Sequence, residues 1–126
     1  MTKNQEIYKC EKCGNTVLVI DGKMGQLVCC GAPMTLLEAK TADSATEKHV
    51  PVVEKADGGV TVTIGSTLHP MTEEHAIVCA GIIDGSDMAI HWFKPGDAPK
   101  ASFKNAKDDA KAVEYCNLHG LWTNKK

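Results

Sequence analysis

Aromatic side chains make up only 5% of this chain, too few for stacking on nucleotides or sugars to be its main activity. No apolar run approaches the roughly 18 residues of a membrane-spanning helix. The longest, Ala76 to Ile83, has the length of a strand. A basic surplus is missing too. Fourteen Lys and Arg stand against 16 Asp and Glu, a formal charge of −2, whereas a nucleic-acid binder carries a basic face. The opening residues Met1-Thr2-Lys3-Asn4-Gln5-Glu6 lack the apolar core of a signal peptide. The expectation is a cytoplasmic protein with no membrane and no nucleic acid among its partners. Repeats and low-complexity segments are absent as well.

What is there is a globular composition. Hydrophobic residues make up 43% and charged residues 24% of 126 positions, enough for one ordinary domain or a small domain with a smaller appendage. The unusual feature is six cysteines, at positions 10, 13, 29, 30, 79 and 116. In a chain without an export signal a disulfide framework is disfavoured, and metal or redox chemistry moves ahead of it.

Residues 1–37 read as one unit. Tyr8-Lys9 leads into Cys10 and Cys13, and Val17 to Ile20 has the look of a short strand. Asp21-Gly22-Lys23 supplies a turn, and Gln26-Leu27-Val28 returns the chain to Cys29-Cys30. So few apolar residues make no self-sufficient core, and a unit this small needs a staple. Ala39 to Thr46 is small and polar and reads as a linker, with a short helical turn as the competing possibility.

From Glu47 onward the pattern is β. Val60-Thr61-Val62-Thr63-Ile64 alternates with period two, and Asp57-Gly58-Gly59 before it turns back to Val50–Val53. Ala76 to Ile83 reads as a continuous apolar strand, and Met88, Ile90 and Trp92 then alternate with Ala89, His91 and Phe93. Further strands are expected at Ala101 to Phe103, Ala112 to Tyr115 and Leu121 to Thr123. About seven short strands at this spacing predict an antiparallel sandwich of immunoglobulin-like type.

Cys10 and Cys13 have the C-x₂-C spacing of a metal knuckle, with Gly14 following to permit a tight backbone. Cys29 and Cys30 are adjacent rather than spaced by two, so a site built from all four should be a distorted tetrahedron. Four thiolates select zinc or iron. Spacing alone leaves the choice between those metals open, with a disulfide pair as a minor alternative.

The histidines lie at positions 49, 69, 75, 91 and 119. Four of them, His49, His69, His75 and His119, stand at segment edges, where loops on a rigid sandwich build binding sites. Cys116 and His119 are three residues apart, a chelating spacing. Each histidine taken singly is better explained as a surface or capping residue. Together with Cys116 they form a candidate N/S metal site. His91 reads as solvent-facing, and Cys79, inside an apolar strand, as a buried small hydrophobe.

Several motifs occur together and in order: Cys10-x₂-Cys13, Cys29-Cys30, Glu47-Lys48-His49-Val50-Pro51, His69-Pro70-Met71, His75, and Cys116-Asn117-Leu118-His119-Gly120. In these the whole chain resembles desulfoferrodoxin, the two-iron class of superoxide reductase. The resemblance implies a small desulforedoxin-like metal domain over residues 1–37 and a superoxide reductase β-sandwich over 38–126. It also implies two mononuclear non-haem irons per chain: a rubredoxin-like iron held by Cys10, Cys13, Cys29 and Cys30, and a second iron held by His49, His69, His75, His119 and Cys116. Glu47 and Lys48 would flank its open position. The implied activity is one-electron reduction of superoxide to hydrogen peroxide, with electrons from a small carrier such as rubredoxin, in a homodimer. Where many family members have aromatic residues after the third histidine, this chain has Ala76-Ile77-Val78-Cys79. The competing readings are a pure electron carrier, in which the sandwich only docks partners, and a zinc-stapled binding module.

Overall fold

Strands of two or three residues do not persist alone, and the first part of the chain supports its short strands by pairing them. In a computed structural model, which describes residues 1–41, 49–65 and 69–124, the chain divides into two compact units, Met1–Glu38 and Ala39–Lys126. The first unit contains β1 (Ile7–Lys9), β2 (Thr16–Leu18), β3 (Val28–Cys29), β4 (Ala32–Pro33) and β5 (Thr35–Leu37). β1 is the centre of an antiparallel sheet in the order β2-β1-β5, with Tyr8 opposite both Val17 and Leu36. β3 and β4 form a separate two-stranded hairpin. The strand expected over Val17–Ile20 stops at Leu18, and Ile20 is exposed.

Among the described residues the second unit is a sandwich of seven strands, β6 (Pro51–Ala56), β7 (Gly59–Ile64), β8 (Ile77–Asp84), β9 (Asp87–Trp92), β10 (Lys100–Lys104), β11 (Lys111–Cys116) and β12 (Gly120–Thr123). One sheet has the order β10-β7-β6, the other β12-β11-β8-β9, and all pairings within them are antiparallel. The described residues contain no helix, and so none long and apolar enough to cross a membrane.

Period-two alternation accounts for the core. Val60, Val62 and Ile64 on β7 are buried against Ile77, Ala80 and Ile82 on β8, Ala101 and Phe103 on β10, and Ala112 on β11. The intervening Thr61 and Thr63 are only half-buried. The alternation of β8 is interrupted. Continuing inward from Ile82 and Ala80, it would bring Val78 to the core, but the register against β11 shifts, so that Tyr115 pairs with Cys79 and Cys116 with Ile77. Such an irregularity re-aims side chains. Ile77 takes the buried place, while Val78 and Cys79 are left half-buried. Cys79, which alternates with the buried Ala80, is half-buried and not the fully buried residue expected from its apolar strand. His91 is exposed, as its place in β9 predicts, but Trp92 is exposed too, because β9 is an edge strand.

The segment expected to be a linker is paired at its start. Lys40 forms a parallel bridge with Trp122: its N–H donates to the Leu121 carbonyl at 3.0 Å and its carbonyl accepts from the Thr123 N–H at 2.9 Å. The start of that segment is thus part of the sandwich edge, and residues 42–46 lie outside the described residues.

Candidate metal centres

In the first unit the C-x₂-C turn is closed by backbone hydrogen bonds, from the Cys10 N–H to the Asn15 carbonyl at 2.8 Å and from the Gly14 N–H to the Cys10 carbonyl at 2.9 Å. Gly14 takes φ +86°, a left-handed conformation that glycine adopts without a Cβ clash. The turn aims amides at sulfur. The Cys13 N–H donates to Cys10 Sγ at 3.5 Å, and the Asn15 N–H to Cys13 Sγ at 3.4 Å. The hydrogen bond from Cys13 is the main cause that lowers the Cys10 thiol to about 6.

Across from the turn, the β3–β4 hairpin presents the adjacent pair. Cys30 itself adopts φ +54°, unusual for a residue with a side chain. Its sulfur lies 3.9 Å from that of Cys29, which in turn lies 3.7 Å from Cys13 Sγ. Hydrogen bonding with Cys13 is the leading cause that raises the Cys29 thiol and pushes Cys30 up to about 12. Four thiols this close cannot all ionise without a cation among them. The four sulfurs all lie within 4.8 Å of one another, a donor set that suits zinc or iron.

The second cluster is assembled at one end of the sandwich. His49 precedes β6, His69 follows β7, His75 precedes β8, Cys116 ends β11 and His119 sits in the turn before β12. Antiparallel pairing puts these ends together, Pro51 opposite Ile64 and Cys116 opposite both Ile77 and Gly120. The five donor atoms lie within 4.8 Å of one another.

The imidazoles form a four-membered circuit. Consecutive rings in the order His49, His69, His75, His119 have centroids 4.6–4.9 Å apart and interplanar angles of 73–80°. His49 and His75 face each other across it, 6.4 Å apart and 32° from parallel. This is the side-to-diagonal relation of a square. His49 Nε2 and His119 Nδ1 are 3.0 Å apart, while Cys116 Sγ lies 3.5 Å from His69 Nε2 and 3.9 Å from His119 Nδ1.

Supporting contacts orient the donors. His69 Nδ1 donates to the Pro70 carbonyl at 2.6 Å, which leaves the Nε2 lone pair directed at the cluster. Burial is the main cause that lowers His69 to about 4, so the ring is neutral near pH 7. His75 is bracketed by Asn117: the Asn117 amide donates to the Glu74 carbonyl at 3.2 Å and accepts from the Ala76 N–H at 3.1 Å. The His75 N–H donates to the Thr72 hydroxyl at 3.1 Å. Burial raises the Cys116 thiol, and the N–H groups of Leu118 and His119 oppose that rise. The Trp122 ring stacks on His49, centroids 4.6 Å apart and planes 16° from parallel.

All nine cysteine and histidine candidates thus fall into two clusters. Glu47 and Lys48 lie outside the described residues. Asn117, Trp122 and Lys40 were not singled out from sequence as site residues. Asn117 stood inside the Cys-Asn-Leu-His motif as the available signal, whereas Lys40 offered none.

A sandwich with a His4Cys cluster at one end, preceded by a four-cysteine unit, defines a class of proteins with two separate metal-ligating centres. The chain belongs to the desulfoferrodoxin family. The family model for desulfoferrodoxin matches residues 41–125, and that for the desulfoferrodoxin N-terminal domain matches residues 2–37. The chain is 48% identical over 125 residues to a desulfoferrodoxin of Syntrophotalea carbinolica, covering 99% of each. It is 49% identical over 122 residues to one of Nitratidesulfovibrio vulgaris, covering 97% of each. Among solved structures, the superoxide reductase of Treponema pallidum matches with a TM-score of 0.76 and 30% identity, over 95% of this chain and 97% of that one.

Proposed function

We propose that this protein is a superoxide reductase, which converts superoxide to hydrogen peroxide with one electron and two protons and releases no dioxygen. The observation that carries the reading is the convergence of four imidazoles and one thiol at an end of the sandwich where His119 is exposed. Five donors are one fewer than octahedral iron accepts, and this N/S set suits iron. The ligands would be His49, His69, His75, His119 and Cys116. Bound there, iron would supply a one-electron couple with one position open to a small anion. The similarity to the Treponema pallidum superoxide reductase supports the same reaction.

The residues divide the remaining work. Cys116, as a thiolate, would donate electron density to an iron held there. Lys48, directly before His49 in sequence, would attract the anion with its positive charge and order a proton-donating water. Glu47 supplies a carboxylate that helps to expel the product. Cys10, Cys13, Cys29 and Cys30 would hold the first iron in a closed set of four thiolates, which passes electrons but admits no substrate.

The electrons come from a small carrier such as rubredoxin, and the protein works in the cytoplasm as a homodimer that removes superoxide. Iron per chain and peroxide yield test the reading together. Two irons, and one peroxide per superoxide only when a reductant is supplied, are expected. A colourless zinc protein, or dioxygen evolved without reductant, would refute it.

A further inference from the structure

The His119 candidate ligand sits in the exposed turn Asn117-Leu118-His119, where Leu118 is 60% exposed. Exposed turns lie at the low end of local stability, yet a ligand ring must be held to a narrow range of orientations. Something must hold this turn.

The His119 carbonyl accepts two side-chain hydrogen bonds, from Trp122 Nε1 at 3.1 Å and from Lys40 Nζ at 3.2 Å. Lys40 Nζ also lies 5.1 Å from the centroid of the Trp122 ring, within cation–π range. That ring is the one stacked on His49. The Lys40 backbone is itself tied to β12 on both sides, through Leu121 and Thr123. Two of the five donor residues are therefore held by one indole, and one lysine holds that indole together with the turn.

We propose that Lys40 and Trp122 form a brace that positions His119 and His49 in the second metal centre. Neither touches the reacting atoms, so both are positioning residues. Lys40 contributes through its donor and its charge, and Trp122 through its ring N–H and its stacked face. The brace rests on the reading that the second cluster holds a metal, and it goes beyond that reading by assigning a role to residues outside the ligand set.

The test uses the full chain loaded with iron and, separately, with cobalt(II), whose ligand-field bands report ligand orientation. Lys40→Met removes one donor at an exposed position, and Trp122→Phe keeps an aromatic face while removing the other. Each should speed chelator-driven loss of the second metal by about three- to tenfold, the scale of one hydrogen bond. Release from the four-cysteine site, measured in the same sample, should not change. The cobalt bands should shift in both variants, and Lys40→Arg should restore rate and bands. The double variant should fall short of the product of the single effects, because both donors share one acceptor.

If parent and variants release metal alike with unchanged bands, the brace is wrong while the metal site stands. Faster release with unchanged bands and a lower melting temperature would mark a general loss of stability, which also overturns it. A parent chain that takes up no metal at the second cluster would remove the metal-site reading and the brace with it.

Discussion

Cys116 Sγ and His69 Nε2 lie 3.5 Å apart, although 47 residues separate them in sequence. β11 ends at Cys116, and His69, which follows β7 in sequence, lies at the same end of the sandwich. Because the sulfur is buried and belongs to the second cluster alone, its removal should affect one centre only. Cys116→Ser should abolish the thiolate charge-transfer absorption of the second iron and most superoxide reduction, while the four-cysteine site keeps its spectrum. Retention of activity with both spectra intact would remove Cys116 from the ligand set.

The converse substitution tests the independence of the centres. Cys13 lies 3.7 Å from Cys29 in the first unit, and the second unit holds every member of the His4Cys cluster. Cys13→Ser should remove or destabilise the first iron and leave superoxide reduction largely intact. Loss of all activity in a folded variant that retains the second iron would show that the first iron is obligatory.

Lys48 directly precedes His49, a member of the second cluster, in sequence. Steering by local charge alters on-rates by roughly 10- to 10³-fold, and one lysine belongs at the low end. Screening with a Debye length of about 8 Å at physiological ionic strength weakens it further. Lys48→Ile should therefore slow the bimolecular reaction with superoxide and flatten its salt dependence without altering the iron spectrum. Pulse radiolysis across a salt series checks this, and an unchanged rate with the parent's salt slope would leave Lys48 without a role.

His69 gives the metal-free protein a pH dependence. Burial holds its folded-state pKa at about 4, below the ordinary histidine value of 6.5, so between these values the unfolded chain binds the extra proton. The stabilisation is complete above the unfolded value and is lost as pH falls through the folded one. Thermal midpoints of the metal-free protein should fall between about pH 6.5 and 4, and His69→Gln should flatten that fall. A curve equally steep in the variant would assign it to other groups.

Ile64 is fully buried in the sandwich core, at the end of β7 that leads toward His69. Ile64→Ala leaves a cavity that the surrounding strands fill only in part, at a cost of about 2–5 kcal/mol. Denaturant unfolding should show the loss with little change in slope. A loss well below that range would mean that the neighbouring side chains collapse into the space.

Local chemistry was legible in the residues themselves. The alternation in Val60 to Ile64 assigns its own buried face, because successive strand side chains point to opposite sides. Cys10 and Cys13 are near enough in the chain to form a knuckle wherever the rest of it goes. The histidines and Cys116 were recognisable as a set through ordered motifs, not through their spacing, which spreads from His49 to His119. The packing of the two sheets decided what no local pattern contains. The register shift beside Tyr115 turns Ile77 inward and leaves Val78 half-buried. Asn117 comes to bracket His75, and Lys40, at a position that reads as linker, reaches the carbonyl of His119 across 79 residues of sequence. Periodicity and chelate spacing are properties of neighbouring residues, whereas these contacts exist only once strand pairing has chosen which ends meet.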